Sequence, residues 1–199
     1  VPAARLGQQV GIERVAAMAQ ALGITSSLPR VPSLALGTAE MSPLEVARAY
    51  STLANGGRRS TPRTFVDVVQ ARGLAHEHNP LVGPVRVVDP ATAYLAISLL
   101  QGVVDRGTAE QVRKQGLSGP IAGKTGTTDD EYDLWFVGFT PELVAVVWVG
   151  YDEPRAVGGG DPADESRRDP PGTDDAPAEV PHPGALVPIV VPHLLRPGR

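Results

Sequence analysis

Gly123-Lys124-Thr125-Gly126-Thr127-Thr128, followed by Asp129-Asp130-Glu131 and then by Trp135-Phe136-Val137-Gly138-Phe139, carries the reading of this chain. In an extended strand successive side chains point to opposite faces, so Thr125 and Thr127 share one face while Lys124 projects from the other or turns at the edge. Gly126 keeps that edge bare. Two hydroxyls, a nearby ammonium and free backbone N–H groups form a receptor suited to a carboxylate and to an oxyanion. The surroundings are strand-like as well. Ile121 to Gly126, Asp133 to Phe139 and Leu143 to Val149 are short and rich in β-formers, and Thr140-Pro141-Glu142 joins the last two in a way that suits an antiparallel hairpin.

Helical signals precede the strands. Val15, Ala16, Ala19 and Leu22 recur at helical spacing and Gly23 supplies a stop, which predicts a helix over residues 12–22. Ser42 as N-cap, Pro43 at the first helical position and Glu45 three residues after the cap predict a capping box, with Met41 and Val46 as its hydrophobic staple. That helix runs to Gly56-Gly57, and Val46, Tyr50, Leu53 and Ala54 form its core face. Asp89-Pro90 starts another helix through Val104, apolar almost all round and therefore expected to be buried. Phe65 to Val69 is a weaker strand. The organisation is α+β.

A phosphate-binding loop is excluded by spacing. Gly123-Lys124-Thr125 would close such a loop only if a glycine stood at position 118, which is Ser118. The residues after Thr125 also lead into a strand, whereas a nucleotide loop needs a helix there.

Composition sets further bounds. The chain has 199 residues with 42% hydrophobic content, the length of a single domain. It has no cysteine, so neither a disulfide framework nor a thiolate metal site is available. His76, His78, His182 and His193 stand in polar or proline-rich surroundings and read as solvated loop residues; no metal or cofactor is expected. No run approaches the eighteen or so consecutive apolar residues of a membrane span. The net charge of −4 is unevenly placed: residues 152–184 hold nine acids and three arginines, −6, which leaves +2 for the remainder. No basic stripe with interleaved aromatics is present, which argues against nucleic acid. From Glu153 to Pro183 the sequence is proline, glycine and acid with few apolar side chains, and it reads as a solvated, disordered linker.

Several ordered blocks carry a resemblance. Ala122 to Pro141 and Val146-Val147-Trp148-Val149-Gly150-Tyr151-Asp152 closely resemble the transpeptidase domain of class A (bifunctional) penicillin-binding proteins. So do the upstream blocks Ser33 to Glu45, Ala49-Tyr50, Ala54-Asn55-Gly56-Gly57 and Gln101 to Ala109, in that family's order. The resemblance implies an antiparallel sheet flanked by helices, with residues 1–151 as the C-terminal portion of a transpeptidase domain. Residues 152–183 then form an acidic insert, longer than the family's glycine-rich connection, and residues 184–199 a helix-like segment and tail broken by Pro188 and Pro192.

That family works through three motifs, S-x-x-K, S-x-N and K-T-G. Only the third is present, since no serine here has Lys three residues on and no S-x-N occurs. The resemblance therefore implies that the nucleophilic serine, its lysine and the S-x-N serine lie on a segment upstream of Val1. The activity implied is a D,D-transpeptidase of peptidoglycan biosynthesis, acting on stem peptides through a serine acyl-enzyme and targeted by β-lactams, on the extracytoplasmic face of the cell membrane. The resemblance carries roles onto the K-T-G strand. Lys124 provides charge and orients the S-x-N serine, Thr125 and Thr127 bind a terminal carboxylate, the Thr127 N–H forms half of the oxyanion hole, and Gly126 lets the substrate backbone lie along the strand. Thr128 borders the site, and Asp129, Asp130, Glu131 and Tyr132 form a solvated turn. Two alternatives stay open at this point: a serine β-lactamase, and a non-catalytic scaffold that has lost its nucleophile.

Overall fold

The structure is a computed structural model that describes residues 2–63, 65, 67–69, 75–78, 82–153, 155–157 and 187–192. Helices α1 (Pro2–Val10), α2 (Ile12–Leu22) and α3 (Pro43–Ala54) come first, with a short 3-10 turn at Pro32–Leu36. Strands β1 (Arg58–Arg59), β2 (Asp67–Val69), β3 (Ala75–His78) and β4 (Val85–Arg86) form two small antiparallel pairs, β1 with β4 and β2 with β3. Then follow α4 (Pro90–Arg106), α5 (Gln111–Lys114), β5 (Ala122–Thr127), β6 (Leu134–Phe139), β7 (Leu143–Val149) and β8 (Val187–Pro192). The last four make one antiparallel sheet in the order β5-β6-β7-β8.

α2 ends where Gly23, at φ +120°, turns its N–H back to the carbonyls of Ala19 and Gln20. Arg59 closes the same end by donating to the Ala21 carbonyl at 2.8 Å. α3 starts with the expected box: the Ser42 hydroxyl accepts from the Glu45 N–H, and the Glu45 carboxylate accepts from the Ser42 N–H at 2.9 Å. Glu45 does more than the box requires. Its oxygens also accept from the N–H and hydroxyl groups of Thr25 and Ser26, each at 2.7 Å, so one carboxylate ties the α2–α3 connection to the helix start. The Thr25 hydroxyl first, with the Ser42 N–H and the remaining donors, holds its pKa far below the usual carboxylate range against the opposing effect of burial. Thr52, fully buried, bonds the carbonyls of Arg48 and Leu22 and joins the far ends of the two helices.

The main core lies between α3 and one face of the sheet. Val46 and Ala47 pack on Ala122, Val137, Phe139, Val144 and Val146, with Tyr50 and Ala54 against them. Tyr50 meets the Phe139 ring at 6.2 Å, tilted by 58°, and burial pushes its phenol up. Met41 touches both this core and a second one built on Ala16, Ile24, Leu28, Leu34 and Ala49, so the residue before the cap links two clusters. Gly57, at φ +85°, lies so close to Val88 that a Cβ would sit 2.3 Å from its carbonyl oxygen, and only glycine fits that turn.

Three expectations need correction. His76 and His78, read as loop residues, stand in strand β3. α4 was expected to be buried all round, but Ala93 and Val104 are its buried residues, while Tyr94, Leu95 and Leu99 are 71%, 63% and 77% exposed. Its Ile97 and Leu100 reach the main core and Val103 the cluster around Val104, Ala109 and Ile121; nothing among the described residues covers the opposite stripe. The segment expected to be helix-like contains a strand, β8. The Thr140 N–H donates to the Leu143 carbonyl at 2.8 Å, so Leu143, Ala145 and Val147 turn their polar groups to β6, and Val144, Val146 and Trp148 turn theirs to β8. Pro188 and Pro192 stand opposite Val147 and Leu143, positions that need no N–H, and the β-branched residues between them favour extended backbone. The weak strand is present as β2, with residues 64 and 66 outside the described set. Most of the acidic stretch 152–183, and His182 and His193, also lie outside it.

Candidate active site

β5 is an outer strand, paired only with β6 among the described residues. The direction of its polar groups follows from one bond. Thr128 donates its N–H to the Asp133 carbonyl at 3.1 Å, and the ladder runs without a break from Thr127↔Leu134 to Ala122↔Phe139. By strict alternation Lys124 and Gly126 also point their backbone groups at β6, whereas the N–H and C=O of Thr125 and Thr127 point to the open side. Lys124 bears this out independently: its ammonium turns round the edge and donates to the Thr125 carbonyl. A free N–H at Thr127, the Thr125 and Thr127 side chains on one face, and an exposed ammonium with no carboxylate partner among the described residues therefore meet along one edge.

The sheet fixes this edge from both sides. A Cβ at Gly123 would come 2.8 Å from the Val137 carbonyl oxygen, and one at Gly126 would come 3.2 Å from Trp135 Cβ, so both glycines bring β5 close to β6. Beyond the strand, the Thr128 hydroxyl accepts from the Asp133 N–H at 2.9 Å, which commits Thr128 to closing the turn and sets it apart from Thr125 and Thr127. Glu131 takes φ +56° in that turn, and its carbonyl accepts from the Val157 N–H at 3.0 Å. Asp129, Asp130 and Glu131 are exposed. A shallow cavity between Thr25, Ser42, Glu45, Arg48 and Pro62 contains no residue of β5.

One residue of this edge has no role in the sequence reading. The Thr108 hydroxyl lies 2.8 Å from the Thr125 hydroxyl. The block Gly107-Thr108-Ala109 stood out in the sequence, but two threonines seventeen positions apart give no local signal of contact.

Comparison with known proteins bears on the family and the fold. Residues 3–166 match the family described as the penicillin binding protein transpeptidase domain. The chain belongs to that family. It is 43% identical over 137 residues to penicillin-binding protein 1A of Neisseria cinerea, an alignment covering 67% of this chain and 17% of that protein. In three dimensions it resembles penicillin-binding protein 1A of Haemophilus influenzae with a TM-score of 0.72 and 26% identity, over 80% of this chain and 29% of the other. It also resembles the PonA1 protein of Mycobacterium tuberculosis solved in complex with penicillin V, with a TM-score of 0.55 and 28% identity over 69% and 41% of the two chains. The chain thus spans about a fifth of the length of the curated relatives it matches. As a penicillin-binding protein transpeptidase segment it has the α+β fold of its relatives and contains the K-T-G strand, but neither S-x-x-K nor S-x-N. Among the described residues no helix is long and apolar enough to cross a membrane.

Proposed function

We propose that this chain supplies the substrate-binding strand of a peptidoglycan D,D-transpeptidase that cross-links the cell wall. The observation that carries the reading is the open edge of β5, where the outward Thr127 N–H, the Thr125 and Thr127 hydroxyls and the Lys124 ammonium converge. An acyl-transfer site needs donors aimed at the developing oxyanion and a fixed anchor for the rest of the substrate. In this assignment a serine on an upstream segment attacks the D-Ala-D-Ala carbonyl and forms an acyl-enzyme with loss of the terminal D-Ala. An amine of a second stem peptide then takes the acyl group. The Thr127 N–H is one oxyanion donor, the two hydroxyls hold the terminal carboxylate, Lys124 supplies positive charge and orients the S-x-N serine, and Gly126 leaves room for the substrate backbone. β-Lactams occupy the same edge, a reading supported by the penicillin V complex of the PonA1 protein. The reaction takes place outside the cytoplasmic membrane, where stem peptides are cross-linked.

The companion segment bearing S-x-x-K and S-x-N is part of the proposal. It is supported by the uncovered apolar stripe Tyr94, Leu95 and Leu99 on α4, a surface that a packed domain covers. The test is covalent labelling. The chain alone should not react with a fluorescent penicillin, whereas the complete domain should, at the S-x-x-K serine. A label that survives denaturation and maps to a serine within residues 1–199 overturns the role assignments. A complete domain that never labels supports a scaffold instead, and rapid hydrolysis of the acyl-enzyme supports a β-lactamase.

A further inference from the structure

We propose that Thr108 is a positioning residue for carboxylate capture, acting through the hydroxyl of Thr125. The inference rests on the assignment of Thr125 to the substrate carboxylate. A threonine hydroxyl has one hydrogen to give, and an ionised carboxylate can only accept. For Thr125 to donate to the substrate, its hydroxyl must be the acceptor in the 2.8 Å contact with Thr108, and Thr108 must be the donor. Thr108 then does two things: it keeps the Thr125 hydrogen free for the ligand, and it polarises that O–H, because hydrogen bonds in a chain strengthen one another.

The turn that carries Thr108 is built to hold it still. The N–H groups of Gly107 and Ala109 both donate to the Val103 carbonyl at 3.1 Å, which folds the chain back on the end of α4. A Cβ at residue 107 would lie 2.9 Å from Val103 Cα and carbonyl oxygen, so this close return needs glycine. Ala109 is buried with Val104 and Ile121, the residue just before β5, and anchors the far side of the turn. Asp105 and Arg113 brace the outside: the Arg113 Nε and one terminal nitrogen reach the same Asp105 oxygen at 2.9 and 2.8 Å, and another donates to the Leu117 carbonyl. The Thr108 side chain leaves this clamp toward β5 and meets the hydroxyl next to Lys124.

The experiment uses the complete transpeptidase domain, with a fluorescent penicillin bearing its free carboxylate and the same compound as its carboxamide. The rate of acylation at saturation and the half-saturating concentration are read separately. Thr108→Val should raise the half-saturating concentration for the acid about 3- to 10-fold, the range expected for one neutral hydrogen bond, with the saturated rate nearly unchanged. The carboxamide should be affected far less, Thr108→Ser should restore the parent behaviour, and Thr108→Ala should reproduce the valine variant without its extra methyl. Combined with Thr125→Val, either change should add little, because both remove one relay. Tighter capture by Thr108→Val would mean that Thr108 holds the Thr125 hydrogen away from the ligand. That result, or equal effects on acid and carboxamide, or full additivity with Thr125→Val, overturns the inference. If Thr125→Val itself leaves discrimination between acid and carboxamide intact, the assignment of the strand falls instead.

Discussion

Trp148 on β7 donates its indole N–H to the Asp133 carboxylate at 2.8 Å, so the turn after the candidate site is tied to a strand two places away. Asp133 also bonds Thr128 through its backbone in both directions, which makes it the knot between the β5 end and the rest of the sheet. Asp133→Ala should destabilise the complete domain by about 1–2 kcal/mol, while Asp133→Asn, which keeps an acceptor, should recover most of the loss. The chain's two tryptophans, Trp135 and Trp148, face each other at 6.3 Å on this hairpin, so their fluorescence in urea reports it directly. Equal midpoints for parent and alanine variant would show that the contact contributes nothing.

Glu45 predicts an acid-sensitive connection. Its folded-state pKa is held low by the donors of Thr25, Ser42 and Ser26, so the carboxylate's stabilisation is complete above the ordinary glutamate value of about 4.3 and drains away as pH falls below it. Between about pH 6 and about pH 3 the parent should therefore lose more thermal stability than Glu45→Gln, whose amide does not titrate. Parallel melting curves for the two across that range would refute the assignment.

The proposed role of Lys124 separates the chain's two lysines. Lys114 pairs with Glu110 at 3.4 Å on the surface of α5, whereas Lys124 lies along the open edge of β5. In the complete domain Lys124→Ala should lower the acylation rate by about 10²–10³, and Lys114→Ala by less than about twofold. Small and equal effects would reduce Lys124 to a surface cation.

Thr127 separates backbone from side chain. Thr127→Val keeps the outward N–H and should weaken capture without abolishing acylation, whereas Thr127→Pro removes that N–H at an edge position where no ladder bond uses it. The proline variant should lose about 10²–10³ in acylation rate relative to valine, with penicillin labelling as the measure and unfolding midpoints as the control. Similar rates in both would exclude the Thr127 N–H as an oxyanion donor.

The sequence was most informative where one residue's neighbours decide its structure. Ser42, Pro43 and Glu45 placed the start of α3 because a cap needs only its own first turn. The second grip of Glu45, on Thr25 and Ser26, was illegible because its partners stand twenty and nineteen positions away. Thr125 and Thr127 fell on one face because strand alternation is local, but the contact of Thr125 with Thr108 depends on how α4 and the turn after it return to the sheet. α4 misled for a related reason: an apolar helix is buried only to the extent that something packs on every side. In β8, Pro188 and Pro192 argue against a regular helix, and their even spacing suits an edge strand, a match visible only once the register against β7 is known.

That even spacing makes the sheet one-sided in its capacity to grow. The nitrogens at positions 188, 190 and 192 all point away from β7, and two of the three carry no hydrogen, so a further strand would find carbonyls but a single N–H donor at that border. At the opposite border the N–H and C=O of Thr125 and Thr127 are presented intact, with the Thr125 carbonyl screened by the Lys124 ammonium. Among the described residues, a guest strand with N–H groups and carbonyls of its own is matched best at the β5 border, along the proposed substrate edge, and to dock there it must displace the Lys124 ammonium from the Thr125 carbonyl.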